Sequence, residues 1–194
     1  MTTLPTRFQE ALVYAAQVHA GQVRKGSGTP YIAHLLAVTS LVLERGGDED
    51  EAIGALLHDA AEDQGGEATL AEIRRRFGPA VAEIVEGCSD TMATPKPPWR
   101  ARKEAFLARL PHALPSVRLV STADKLHNAR TILADQRTVG DVVWDRFQGG
   151  KDGTLWYHRS LVETLRGGSS NPLAEELDRV VSEIERLARG EGAR

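Results

Sequence analysis

The segment His58-Asp59-Ala60-Ala61-Glu62-Asp63 places four ionisable side chains within six residues. On a helix advancing ~100° per residue, His58 and Glu62 stand nearly one above the other, as do Asp59 and Asp63. Ile53, Leu56 and Leu57 just before them mark this helix as substantially buried. Carboxylates crowded on a buried face repel one another and lose hydration, so they require a cation, and a divalent metal is the economical one. The plainer alternative is a helix end whose acids face water. His34 lies in the apolar run Tyr31, Ile32, Leu35, Leu36, Val38, where a lone histidine is commonly a satisfied core residue. Asp124 is similarly an acid within the mostly apolar stretch from Val117 to Asn128. Taken together, the three segments offer two imidazoles and acidic oxygens, a mixed N/O set suited to Mn²⁺, Fe²⁺ or Zn²⁺ rather than to a thiolate site.

Helices must position these residues, because apolar positions recur at helical spacing nearly throughout and no alternating strand pattern competes. Thr6 with Gln9 has capping-box spacing for a first helix ending before Gly21, and Pro30 opens a second that runs to Gly46-Gly47. Asp48 with Glu51 repeats the box for the third helix, which carries the His58 cluster and ends near Gly65-Gly66. Thr69 with Glu72 opens a fourth, and Pro79, after Gly78, starts a fifth towards Gly87. Asp90 to Pro98, with three prolines, reads as a loop. Further helices are expected at about 99–110, 116–132, 138–147, 153–166 and 172–189, the last started by Asn171-Pro172. The expected architecture is all-α, one domain over 1–194 of nine or ten helices, with the final helix packing its apolar stripe on its own core.

The 41% apolar and 26% charged content of 194 residues argues against disorder. A net charge of −3 provides no overall basic field, so no nucleic-acid or anionic membrane partner is expected. The single cysteine, Cys88, excludes an internal disulfide and a multi-thiolate site, and is expected to be buried. The longest uncharged apolar stretch, Tyr31 to Leu43, is short of the ~20 residues a membrane helix needs. The first residues lack a basic-then-apolar secretory pattern, so a cytoplasmic location is expected.

Three motifs in order resemble the HD superfamily of metal-dependent phosphohydrolases, and more narrowly its guanosine 3′,5′-bispyrophosphate hydrolases. His19-Ala-Gly-Gln22-Val-Arg24-Lys25 followed by Pro30-Tyr31-Ile32-Ala33-His34 is similar to that family's opening, His58 to Asp63 to its HDxxED motif, and Ala123 to Asn128 to its A-D-[KR]-L-H-N motif. The likeness runs from about residue 8 to about residue 165. It implies one metal per chain, usually Mn²⁺, with Fe²⁺ or Zn²⁺ possible, held by His34, His58, Asp59 and Asp124. It gives Glu62 and Asp63 the task of positioning and activating water, which suits carboxylates one turn beyond the ligand pair. By the same likeness Arg24 and Lys25 hold the nucleotide, with the Arg24 guanidinium on the base face. Asn128 and Thr131 match ribose or phosphate contacts, and Lys125 is placed to offset phosphate charge. The implied reaction removes the 3′-diphosphate of guanosine tetra- or pentaphosphate as pyrophosphate, an alarmone degradation.

Leu35 stands where proline commonly follows the ligand histidine, and Gln64 where threonine usually follows the acidic pair. Both lie beside the site, leaving open the adenosine analogue of the alarmone or the phosphate of NADPH as substrate. A non-catalytic metal-binding helical module is the alternative of a different class. The chain has no room for the synthetase and regulatory domains of long bifunctional enzymes, so degradation alone is expected. Tyr157 is a further candidate substrate contact, and Trp156 a core residue. Arg100, Arg102 and Lys103 could reach a pyrophosphate or face solvent, and Gly149-Gly150-Lys151 lacks P-loop spacing. His19 and His127 are expected to support the site rather than ligate. The oligomeric state is not readable from these residues.

Overall fold

A computed structural model describes residues 4–166 and 171–191. Its α-helices are α1 Thr6–Val18, α2 Ile32–Glu44, α3 Glu49–Leu57, α4 Ala60–Asp63, α5 Gly66–Phe77, α6 Pro79–Cys88, α7 Trp99–Arg109, α8 Pro115–Val139, α9 Gly150–Arg166 and α10 Pro172–Ala188. Two 3₁₀ helices, Leu110–His112 and Gly140–Arg146, complete the set, and the described residues form no strand beyond one isolated bridge between Val23 and Pro30. The all-α expectation is met. The chain divides into two compact units, one of Met1–Pro97 with Ala113–Ala123, the other of Pro98–His112 with Asp124–Arg194. Among the described residues no helix is long and apolar enough to cross a membrane.

In the first unit α3 starts as its sequence requires. Asp48 accepts from the Glu51 amide at 2.9 Å, and the Glu51 carboxylate accepts from the Asp48 amide at 2.9 Å. Arg7 of α1 reaches both Glu49 and Asp50 in that first turn, tying α1 to the start of α3. Ile53, Leu56, Leu57, Ala60 and Ala61 are fully buried against Leu35, Ile73, Phe77 and Val85. Each large side chain sealed there contributes roughly 1.5–3 kcal/mol, which anchors the segment bearing the ionisable cluster.

Four local expectations are corrected. Pro5, not Thr6, caps α1: it is extended (φ −75°, ψ −167°), and Thr6 is already helical, so the Thr6–Gln9 box does not form. Pyrrolidine geometry suits that entry without a side-chain cap. The third helix is not continuous through Asp63, because α3 ends at Leu57 and a turn at His58-Asp59 precedes the four-residue α4. His58 Nδ1 lies 2.8 Å from the Ala55 carbonyl. The backbone of Asp59 (φ −97°, ψ −5°) leaves regular helical geometry at that point, which is where the ladder is interrupted. Helix α5 begins at Gly66 rather than Thr69, since Gly65 (φ 132°) and Gly66 (φ 60°) turn the chain directly out of α4. Thr69 instead donates to the Gln64 carbonyl at 2.9 Å. The segment expected as a helix over 138–147 is largely the 3₁₀ turn, and α8 runs on to Val139.

Gly54 is where α3 meets α6: a Cβ there would lie 2.6 Å from Ile84 Cγ2. Alanine gains roughly 1 kcal/mol of helix propensity, but overpacking costs about 1–3 kcal/mol. Gly54→Ala is therefore expected to lower the urea midpoint, and a raised midpoint would show the α3–α6 contact to be loose.

In the second unit α10 packs its Leu173, Leu177, Val181 and Ile184 face inward, as its stripe predicts. Asn171 caps it, accepting from the Leu173 and Ala174 amides at 3.1 and 3.4 Å. Arg159 of α9 forks onto Glu185 at 2.6 Å and Asp178 at 2.7 Å, locking α9 to α10.

Candidate metal centre

The first unit brings three sequence-predicted ligands together. His34 comes from the first turn of α2, His58 from the end of α3 and Asp59 from the turn after it, and one ligand atom of each lies within 4.8 Å of the others. His34 is 1% exposed and His58 2%, so their orientation is set by packing rather than by solvent. His58 Nε2 is 3.0 Å and His34 Nε2 3.7 Å from the same Asp59 oxygen, Oδ2. The Nδ1 contact of His58 with the Ala55 carbonyl puts that ring's proton on Nδ1 and turns the Nε2 lone pair inward. The Tyr31 hydroxyl donates to Asp59 Oδ2 at 2.6 Å. Two buried imidazoles aimed at one carboxylate oxygen are a donor set that fits a borderline divalent cation.

Helix α4 carries the two further acids, each held differently. Glu62 Oε2 accepts from the Asp90 amide at 2.8 Å and Oε1 from Lys96 Nζ at 3.1 Å, so the proline-rich loop secures both oxygens. Asp63 Oδ2 accepts from Gln22 Nε2 at 2.7 Å. Although Asp63 borders solvent, desolvation of its carboxyl raises its pKa above the ordinary aspartate value. The Asp59 and Glu62 charges add to that rise, while the Gln22 hydrogen bond and Lys96 oppose it. With the helix interrupted at His58-Asp59, the expected stacking of His58 over Glu62 on one continuous face does not apply.

Arg24 lies 5.8 Å over the Tyr31 ring and Lys25 is exposed, both on the short hairpin closed by the Val23–Pro30 bridge. Asp124, Lys125, Asn128, Thr131 and Tyr157 belong to the second unit. There Lys125 Nζ donates to Asp124 Oδ2 at 2.6 Å and Asn128 Nδ2 to Oδ1 at 2.5 Å. Thr131 donates to the His127 carbonyl at 3.0 Å, one turn back on the helix. Tyr157 is 6% exposed with Lys103 Nζ 4.7 Å over its ring, whereas Trp156, expected in the core, is half-buried beneath the Arg100 guanidinium at 3.2 Å. Lys151 pairs with Asp141 at 2.9 Å, and Cys88 is buried as expected.

Sequence reasoning did not assign the Tyr31 hydroxyl, the Gln22 amide, the Asp90 amide or Lys96 to this centre. Tyr31 carries a local signal, standing three residues before His34 where helical spacing aligns side chains. Asp90 and Lys96 carry none, because only the path of the loop brings them to Glu62.

His158, in the second unit, is held neutral: burial brings its pKa down to about 4, with Lys125 and Lys103 adding to the depression. Unfolded histidine binds its proton near pH 6.5. Between those values the unfolded chain holds more protons, so stability falls as pH drops from about 6.5 to about 4, by roughly 3 kcal/mol in total. Urea titrations of wild type and His158→Phe across that range are expected to converge as pH falls. A constant gap would refute the assignment.

The two-histidine, one-aspartate centre in an all-helical unit defines a class, and the comparisons agree: the HD domain family matches residues 11–149, and the chain belongs to that family. It is 38% identical over 126 residues to the human guanosine-3′,5′-bis(diphosphate) 3′-pyrophosphohydrolase MESH1, covering 63% of this chain and 68% of that one. The Drosophila melanogaster MESH1 is 30% identical over 184 residues, covering 93% and 96%. A solved structure described as a metazoan ortholog of SpoT that hydrolyzes ppGpp superposes with a TM-score of 0.78 at 26% identity, over 98% of this chain and 99% of that one.

Proposed function

We propose that this chain is a Mn²⁺-dependent pyrophosphohydrolase, one HD hydrolase domain over 1–194, that degrades guanosine tetra- and pentaphosphate in the cytoplasm. The products are GDP or GTP and pyrophosphate, with one water consumed at the 3′-diphosphate. The observation that carries the reading is the pair of buried histidine Nε2 atoms trained on Asp59 Oδ2, with two further acids on the helix that follows. The curated relatives carrying this activity in their names support the substrate class.

In this reading His34, His58 and Asp59 hold the cation, and Asp124 supplies the fourth ligand on the strength of its motif. A bound divalent cation would supply Lewis-acid charge and lower the pKa of a water. Asp63 accepts the proton of the attacking water, a task suited to a carboxylate that stands beside the cation without being one of its ligands. Glu62, held at both oxygens by the Asp90 amide and Lys96, orients that water. Arg24, Lys25, Lys125, Asn128, Thr131 and Tyr157 bind the nucleotide, their cations offsetting charge at the leaving pyrophosphate.

The test is pyrophosphate and phosphate release from guanosine and adenosine 3′,5′-bis(diphosphates) and NADPH, with Mn²⁺, Fe²⁺ or Zn²⁺ added to metal-stripped protein. Pyrophosphate release fastest from the guanosine substrate with Mn²⁺ is expected. No release from any of them overturns the reading, and faster turnover of an adenosine substrate or NADPH reassigns the substrate.

A further inference from the structure

Three amide and imidazole groups converge behind Asp63. Gln22 Nε2 donates to Asp63 Oδ2 at 2.7 Å, while Gln22 Oε1 lies 2.7 Å from Gln64 Nε2 and 2.6 Å from His19 Nδ1. The orientation of the Gln22 amide follows from either end. An ionised carboxylate only accepts, so the group facing Asp63 must be the NH₂, and Oε1 must face the other way. Independently, His19 is 3% exposed, and its Nε2 is buried without a hydrogen-bond partner among the described residues. A proton on Nε2 would leave a buried donor unsatisfied, so the proton belongs on Nδ1 and is given to Gln22 Oε1. Gln64 occupies the second lone pair of the same oxygen, as the donor that completes it. The His19 ring is itself stacked on Tyr31, with centroids 5.2 Å apart.

We propose that Gln64 and Gln22 form a two-amide relay that fixes the orientation of the Asp63 carboxylate, making both positioning residues for the hydrolysis. Gln64 is one of the two places where this sequence departs from the pattern it resembles, and the relay gives that departure a purpose. Without the Gln64 donor, one of the two hydrogen bonds to Gln22 Oε1 is lost. Without Gln22, Asp63 keeps its charge but loses the donor that aims it. The inference rests on the role given to Asp63 above, and its test has a readout that does not need turnover.

Steady-state kinetics on guanosine 3′,5′-bis(diphosphate) with Mn²⁺ would compare wild type, Gln22→Leu, Gln64→Leu and the double variant, each checked for bound Mn²⁺ and melting temperature. Gln22→Leu is expected to lower kcat about 10–100-fold, the scale of a misplaced reacting group. Gln64→Leu should lower it about 5–10-fold, the scale of one lost hydrogen bond. KM should stay within about twofold and Mn²⁺ content should be unchanged. The double variant should be no slower than Gln22→Leu, because Gln64 acts only through Gln22. Multiplying losses, a loss confined to KM, lost Mn²⁺, or unchanged kcat in a chain that Asp63→Asn inactivates would each overturn the relay. Side-chain amide resonances of Gln22 and Gln64 provide the second readout: Asp63→Asn is expected to shift both. Unshifted resonances overturn the relay even if the wild type proves inactive on this nucleotide, an outcome that defeats the proposed function alone.

Discussion

Asp63→Asn is expected to reduce kcat by about 10²–10⁴-fold, the range a positioned general base supplies, while the metal stays bound. Asparagine keeps the size of the side chain and can still meet Gln22, so packing around α4 changes little. What it loses is the capacity to take a proton. The wild-type carboxylate is placed for that task one turn beyond Asp59, the Asp63 amide donating to the Asp59 carbonyl at 2.9 Å. The checking measurements are single-turnover hydrolysis and metal content on the same preparation. Full activity with metal in place would move the base elsewhere. Loss of metal together with activity would make Asp63 part of the binding set.

Asp59→Ala is expected to remove both metal and activity. Its Oδ2 is the atom on which His58 Nε2, His34 Nε2 and the Tyr31 hydroxyl converge, at 3.0, 3.7 and 2.6 Å. Deleting it leaves two imidazoles without their shared carboxylate. The loss of Mn²⁺ affinity should exceed the roughly 10–100-fold that removing a supporting partner costs. Tyr31→Phe, which removes only the hydroxyl, provides that smaller comparison. Calorimetric titration of metal-stripped protein with Mn²⁺ measures both. Comparable affinity in wild type and Asp59→Ala would show that the cation is held elsewhere. Thermal melting of the stripped proteins guards against misfolding, and Asp59→Ala should melt near wild type, because carboxylate crowding with Asp63 is relieved.

Much of the fold was legible because helix formation is dominated by local order. The Asp48–Glu51 box, Pro79 after Gly78, Asn171-Pro172 and the stripe of α10 each act within about one turn, and each appears where the residues require it. Local reasoning failed where a non-local or backbone choice competed. Pro5 took the cap that Thr6 could have filled, and paired glycines started α5 ahead of Thr69. At Asp59 the backbone turns to φ −97°, ψ −5°, and a helix that periodicity carries through to Asp63 was interrupted.

The sequence by itself determined an all-helical chain, the buried segment before His58, and the residue types of a mixed nitrogen and oxygen metal site. These are properties of side-chain chemistry and of spacing within a few residues. Tertiary structure alone decided how the acids are held. Tyr31 reaches Asp59 across 28 positions, Lys96 reaches Glu62 across 34, and Gln22 reaches Asp63 across 41. Hydrogen bonds of this kind depend on the chain returning to within about 3 Å of itself, and no periodicity encodes that return. They are also the contacts that give Glu62 and Asp63 different surroundings, one clamped at both oxygens and the other aimed by a single amide.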